Sequence, residues 1–134
     1  PFGILPDRRV LAVNWPALGH VLIAGRARGA VATLLGTLVS NLASQTRSEA
    51  LQVVTIASDN VLSSSLQRLP HQVGSPIDPA DSLATTAALH DVRAELVRRM
   101  ERVERGGAVD TLPELVLVAP EVEGLLDCVA TRQV

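Results

Sequence analysis

The residues from His20 to Leu35 read His-Val-Leu-Ile-Ala-Gly-Arg-Ala-Arg-Gly-Ala-Val-Ala-Thr-Leu-Leu. That order predicts a short buried strand, a tight loop and the first turn of an apolar helix, the setting in which phosphate-binding folds place their phosphate loop. A loop of the form G-x-x-x-x-G-K-[ST] starting at Gly25 requires Gly, Lys and Ser or Thr where this chain has Ala30, Val31 and Ala32. In such loops the Lys reaches the β- and γ-phosphates and the hydroxyl holds Mg²⁺. Val and Ala do neither, so the stretch has the scaffold of a nucleotide site without its reactive groups.

Other chemistry-bearing residues are sparse. Arg26 and Arg28 add positive charge to the loop Gly25, Arg26, Ala27, Arg28, Gly29, beside the N–H groups that open a helix, which is a setting for an anion. The alternative is a tight strand-to-helix turn kept for packing. Arg93, Arg98, Arg99, Arg102 and Arg105 form a cluster interleaved with Glu, read as a solvated helix face or as a contact surface for a neighbouring subunit. His20, His71 and His90 lack ligand spacing, so no metal site is expected. His20 and His71 are expected to hydrogen-bond in turns. Ser63-Ser64-Ser65 has no Gly-x-Ser-x-Gly context, and Cys128 reads as a small core residue.

Composition narrows the classes further. With 134 residues the chain is long enough for one domain with its own core. Apolar residues make up 47% and aromatics 1%, so Val, Leu, Ile and Ala must fill that core, which favours helices on a Val-rich sheet. The formal charge of -2 gives no global drive toward nucleic acid. All 12 basic residues are Arg, which excludes Lys-dependent catalysis. The single cysteine and the lack of a membrane-spanning run or signal-peptide pattern fit a reducing, cytoplasmic setting. The chain opens at Pro1 without Met, which points to a piece of a longer protein.

The elements that would position the loop follow from periodicity. Pro6-Asp7 between short apolar runs predicts a β-hairpin or edge strand, and Trp15-Pro16 breaks it. His20 to Ala24 is the first central strand expected. Val31, Leu34, Leu35, Leu38, Val39 and Leu42 share one helix face. Leu51 to Ala57 is a β-branched strand, and Ser58 or Asp59 caps a short helix through Leu66. Asp78-Pro79-Ala80-Asp81 opens a long helix to about Arg105, with Asp78 as cap and a buried stripe of Leu89, Val92, Leu96, Met100 and Val103. Glu95 with Arg99 and Glu101 with Arg105 are expected pairs on its wet face, and Gly106-Gly107 stops it. Leu115 to Ala119 is a third, fully buried strand, and Pro120 starts a last helix with Val122, Leu125, Leu126 and Val129 inward. This alternation predicts an α/β fold with a mostly parallel sheet.

In segment order the chain resembles the FtsK/SpoIIIE-type motor ATPases, which include DNA translocases and type VII secretion ATPases. The resemblance runs from about Pro1 to Leu126. Its carriers are Pro1-Phe2-Gly3, the His20 to Gly25 run, Leu69-Pro70-His71, the Leu96 to Arg102 helix end and Leu112-Pro113-Glu114 before the apolar run ending at Pro120-Glu121. It implies a RecA-like P-loop NTPase-type three-layer α/β/α fold over residues 1–134 as a single domain.

The same resemblance locates the departures. The family's Gly-Lys-Ser/Thr falls on Ala30, Val31 and Ala32, and its Mg²⁺-linked Asp falls on Pro120, which has no acceptor. Glu121 alone matches the family's water-activating carboxylate. The implied protein is a catalytically inactive, degenerate P-loop domain: a pseudo-ATPase with no cofactor and no metal, ATP and Mg²⁺ being expected only if the loop works despite its substitutions. Its implied partners are neighbouring motor domains or subunits and a substrate peptide. DNA would be reached through other domains, and this segment inserts into no membrane. The alternative function is a non-hydrolysing nucleotide or anion sensor.

Overall fold

The structure is a computed structural model that describes residues 3, 4, 6–12, 14–58, 60–108, 111–122, 125 and 126. The expected hairpin forms: β1 (Gly3–Ile4) pairs antiparallel with β2 (Val10–Leu11), across a turn in which Arg8 takes a positive φ of 65° and Asp7 accepts from the Arg9 backbone N–H. Trp15–Leu18 is a single helical turn, α1. Then α2 (Arg28–Gln45), β3 (Leu51–Thr55), α3 (Asn60–Gln67), α4 (Ser82–Glu104) and β4 (Glu114–Val118) follow in order. The chain is α/β, with helices around a parallel strand pair.

The core is built around β3. It pairs in parallel with β4, Leu51 opposite Glu114 through Thr55 opposite Val118. On its other side the chain after Leu69-Pro70-His71 runs alongside it, with parallel bridges from Val53 to Gln72 and from Ile56 to Ile77. His71 and Ile77 carbonyls accept from the Val53 and Ala57 N–H groups at 2.8 and 2.9 Å. This third, interrupted strand was not expected: Gly74-Ser75-Pro76 reads as a loop and hides its pairing. With neighbours on both edges, Leu51, Val53 and Thr55 are fully buried.

Helices α2 and α3 cover that sheet. Ala32, Val39, Ala43, Leu62 and Leu66 pack with Leu51, Val53, Ala57 and Val118 in one cluster. The face of α2 that enters it is rotated from the expected stripe: Ala32, Leu38, Val39 and Ala43 are buried, while Leu34 is exposed. Small residues win because they let the helix approach closely, and Gly36 leaves room for Leu62, whose Cδ1 would lie 3.2 Å from an added Cβ.

Four expectations need correction. His20 to Ala24 is not a strand: it is irregular and, apart from half-buried Ile23, exposed, Leu22 at 83%, and bonds to no strand among the described residues. Gly19, at φ 64°, turns the chain just before it, and both edges of β3 are taken, one by β4 and the other by the bridges to Gln72 and Ile77. The cap of α4 is Asp81, which accepts from the Ala84 N–H at 2.9 Å, while Asp78 closes a local turn on the Ala80 N–H. Proline at 79 therefore belongs to that turn, three residues before the helix. The stripe of α4 is not buried: Leu89 and Val92 are half-buried, but Leu96, Met100 and Val103 are exposed.

The fourth concerns β4, which is half-buried except at Val118, because among the described residues it has a strand on one edge only. The expected stop of α4 holds. Gly106 adopts φ 86°, and the Gly107 N–H reaches the Arg102 carbonyl at 2.9 Å, so closely that a Cβ there would lie 2.7 Å from that oxygen. Residues 122, 125 and 126 are helical. Asp59, Cys128 and Val129 lie outside the described residues. Among these, no helix is long and apolar enough to cross a membrane.

Candidate functional site at the carboxyl end of the strand pair

In open parallel sheets ligands bind beyond the carboxyl ends of the strands. Here those ends are held level by the Ile56 N–H, which donates to the Val118 carbonyl at 2.9 Å. Continuing the register that pairs Thr55 with Val118 by three residues on each chain brings Ser58 opposite Glu121. The two are bonded. The Ser58 backbone N–H donates to Glu121 Oε2 at 2.9 Å, and the Ser58 hydroxyl donates to Oε1. Among the described residues Glu121 bonds to Ser58 alone, and Pro120 beside it is half-buried.

This clamp replaces two sequence expectations. Ser58 does not spend its hydroxyl on capping α3; it closes the gap between the strand ends. Each oxygen of Glu121 accepts one hydrogen bond from Ser58. The signal that finds this pair is the strand register, which appears only once β3 and β4 are aligned.

The loop at residues 25–27 lies just before α2, so Arg28, Gly29, Ala30, Val31 and Ala32 form the first helical turns. The helix opens on Ala27, which offers no side-chain cap, and the Ala30 and Val31 N–H groups turn back to the Ala27 carbonyl at 3.0 and 3.2 Å. Gly25, Arg26 and Ala27 are exposed. Val31 leans over Gly25: a Cβ added at that glycine would lie 2.9 Å from Val31 Cγ2. Ala32 is buried in the core cluster. Residues 30–32 carry two methyls and an isopropyl group, and the methyl of Ala32 is turned into the core.

The remaining candidates disperse. His71 is buried, and its Nε2 donates to the Thr46 carbonyl at 2.8 Å, tying the turn to the end of α2; its Nδ1 has no partner. His20 lies in the exposed run and His90 on α4, beside Asp91 at 3.8 Å. Among the described residues no three His, Cys, Asp or Glu side chains come together to hold a metal. Within the serine run, the Ser63 hydroxyl donates to the Ala57 carbonyl at 3.2 Å, so it fastens α3 to the strand end.

The arginines divide. Arg98 and Arg99 share Glu95 at 2.7 and 2.6 Å, and Arg105 reaches Glu101 at 3.4 Å. Those two hydrogen bonds, Arg98 first, hold the Glu95 carboxyl at about 2, below its ordinary 4.5. Arg99 also donates to the Pro113 carbonyl at 2.5 Å and to Gln52 Oε1 at 3.5 Å, anchoring α4 to the start of β4. An open groove of about 880 Å³ lies there, at the amino end of the strands, lined by Trp15, Leu42, Met100, Val103, Leu112 and Glu114, among others.

The fold and this site define an α/β chain with a clamped strand end and an apolar helix opening. Comparison with family models, with curated proteins and with solved structures finds no match for the chain.

Proposed function

We propose that this chain is a nucleotide-fold domain of the FtsK/SpoIIIE type that has lost turnover and acts by binding, as a structural or regulatory module of a DNA-translocating or protein-secreting motor. In this reading the fold is a RecA-like three-layer arrangement and the domain's partners are neighbouring motor domains or a substrate peptide. The observation that carries it is the helix opening: Val31 lies over Gly25 where a phosphate-loop Lys would extend, and Ala32 is buried where a hydroxyl would meet Mg²⁺. Phosphoryl transfer depends on positioned positive charge, and position 31 of this helix opening carries Val31 instead of a cation.

The clamp supports the same reading. Glu121 takes the Ser58 N–H on one oxygen and the Ser58 hydroxyl on the other, which orients the carboxylate along the strand ends. The pair ties the ends of β3 and β4 together and fixes the surface there. The test is phosphate release with Mg²⁺ and ATP, compared between the chain and Glu121→Gln: equal, background-level release supports the reading, and turnover lost in the variant overturns it.

A second reading rests on a separate observation, the α2 start without a side-chain cap beside exposed Arg26. Free N–H groups there suit an anion without hydrolysis. Calorimetric titration with a non-hydrolysable nucleotide separates the two readings: heat that Arg26→Ala or Arg28→Ala weakens selects the sensor, and no heat at millimolar ligand removes it.

A further inference from the structure

We infer that the outer face of α4 is a self-complementary surface on which a second copy of this chain docks with its own α4 antiparallel. The face is apolar at its centre and oppositely charged at its ends. Leu96 and Met100 are each 55% exposed and Val97 is 46% exposed. Such a cluster on one helix, left uncovered, marks an interaction surface. Arg93 precedes it and Glu104 follows it. At 100° per residue, Arg93, Val97, Met100 and Glu104 fall on one line along the helix, with Leu96 beside them.

On that line of the helix neither charge is neutralised from within α4. Glu95 takes Arg98 and Arg99, and Glu101 takes Arg105, but among the described residues neither Arg93 nor Glu104 has an ion-pair partner. They stand 11 positions apart, about 16 Å along the axis. A two-fold axis between residues 98 and 99 therefore places Arg93 of each copy against Glu104 of the other, twice over. The same register sets Val97 against Met100 of the second copy. A parallel arrangement opposes like charges at both ends, so the charge order selects the antiparallel one.

This inference is independent of the nucleotide-fold reading and uses a different surface. Its test is sedimentation velocity of the purified chain over a concentration series, with Arg93→Glu and Glu104→Arg each alone and then mixed. The chain is expected to dimerise, and each single variant to weaken dimerisation about tenfold or more, since each change turns two attractions into two repulsions. The equimolar mixture is expected to form a mixed dimer, because Glu at 93 and 104 of one chain then faces Arg at 93 and 104 of the other. Both substitutions lie on an exposed helix surface, and far-ultraviolet circular dichroism checks that helix content is unchanged. A chain that stays monomeric throughout, a dimer indifferent to both reversals, or a mixture that associates no better than its components overturns the inference.

Discussion

The two long helices treat their apolar residues in opposite ways. Helix α2 carries Thr, Ser and Gly throughout, yet it buries Ala32, Val39 and Ala43 in one cluster with β3 and α3, and Leu38 is buried too. Helix α4 has a regular Leu-Met-Val stripe with Arg93 and Glu104 at its ends, yet Leu96, Met100 and Val103 remain exposed. The difference teaches that an amphipathic pattern identifies a face that requires cover, while the identity of the cover is decided elsewhere. For α2 the cover is the Val-rich sheet, reached because small residues permit close approach. For α4, Arg99 fastens the helix to Pro113 and Gln52, which leaves the adjoining stripe beside an open groove.

The sharpest way to break this contrast is to truncate a leucine on each helix. Leu38→Ala on α2 is expected to cost about 3 kcal/mol by urea denaturation, through lost burial and an unfilled cavity. Leu96→Ala on α4, measured in dilute solution, is expected to cost under about 0.5 kcal/mol, as surface changes do. Similar losses at both sites would erase the distinction.

A smaller effect is expected at the start of α4. Asp81→Ala removes the acceptor for the Ala84 N–H and should cost about 1 kcal/mol, while Asp78→Ala, which breaks only a local turn, should cost less. The reverse order would place the cap where the sequence alone puts it.

The smallest effect depends on pH. Glu95 has its carboxyl lowered to about 2 in the folded chain, chiefly by the Arg98 hydrogen bond and then by that of Arg99. A depressed carboxylate adds stability that is complete above its unfolded value near 4.5 and is lost as pH falls toward 2. Glu95→Gln should therefore cost up to about 1 kcal/mol at neutral pH, with the gap from the parent closing in acid. A gap that stays constant from pH 7 to pH 2 would show that the ion pairs contribute nothing.

Much of the local structure is legible in the residues. The hairpin at Pro6-Asp7, the β-branched run of β3, the short helix after it, the Glu-Arg pairs and the Gly106 stop all form where propensity and spacing place them. Where reading failed, long-range pairing was the deciding factor. Val21-Leu22-Ile23 has the composition of a buried strand but bonds to no strand among the described residues, whereas His71 to Ile77 contains Gly74 and Pro76 and still lines the edge of β3. A strand is defined by its neighbour, which composition does not specify.

The candidate site divides the same way. That Ala30, Val31 and Ala32 bring no ammonium or hydroxyl to the start of α2 is written in the residue types. The Ser58–Glu121 clamp is not, since it arises from the register of two segments more than sixty residues apart. Nothing in the residue type of Glu121 announces that it accepts from Ser58.

The most direct measurement is phosphate release from ATP with Mg²⁺, run side by side on the chain and on Glu121→Gln. The account predicts that both sit at the background of a protein-free control. Mg²⁺-dependent release by the chain that falls away in Glu121→Gln would contradict it.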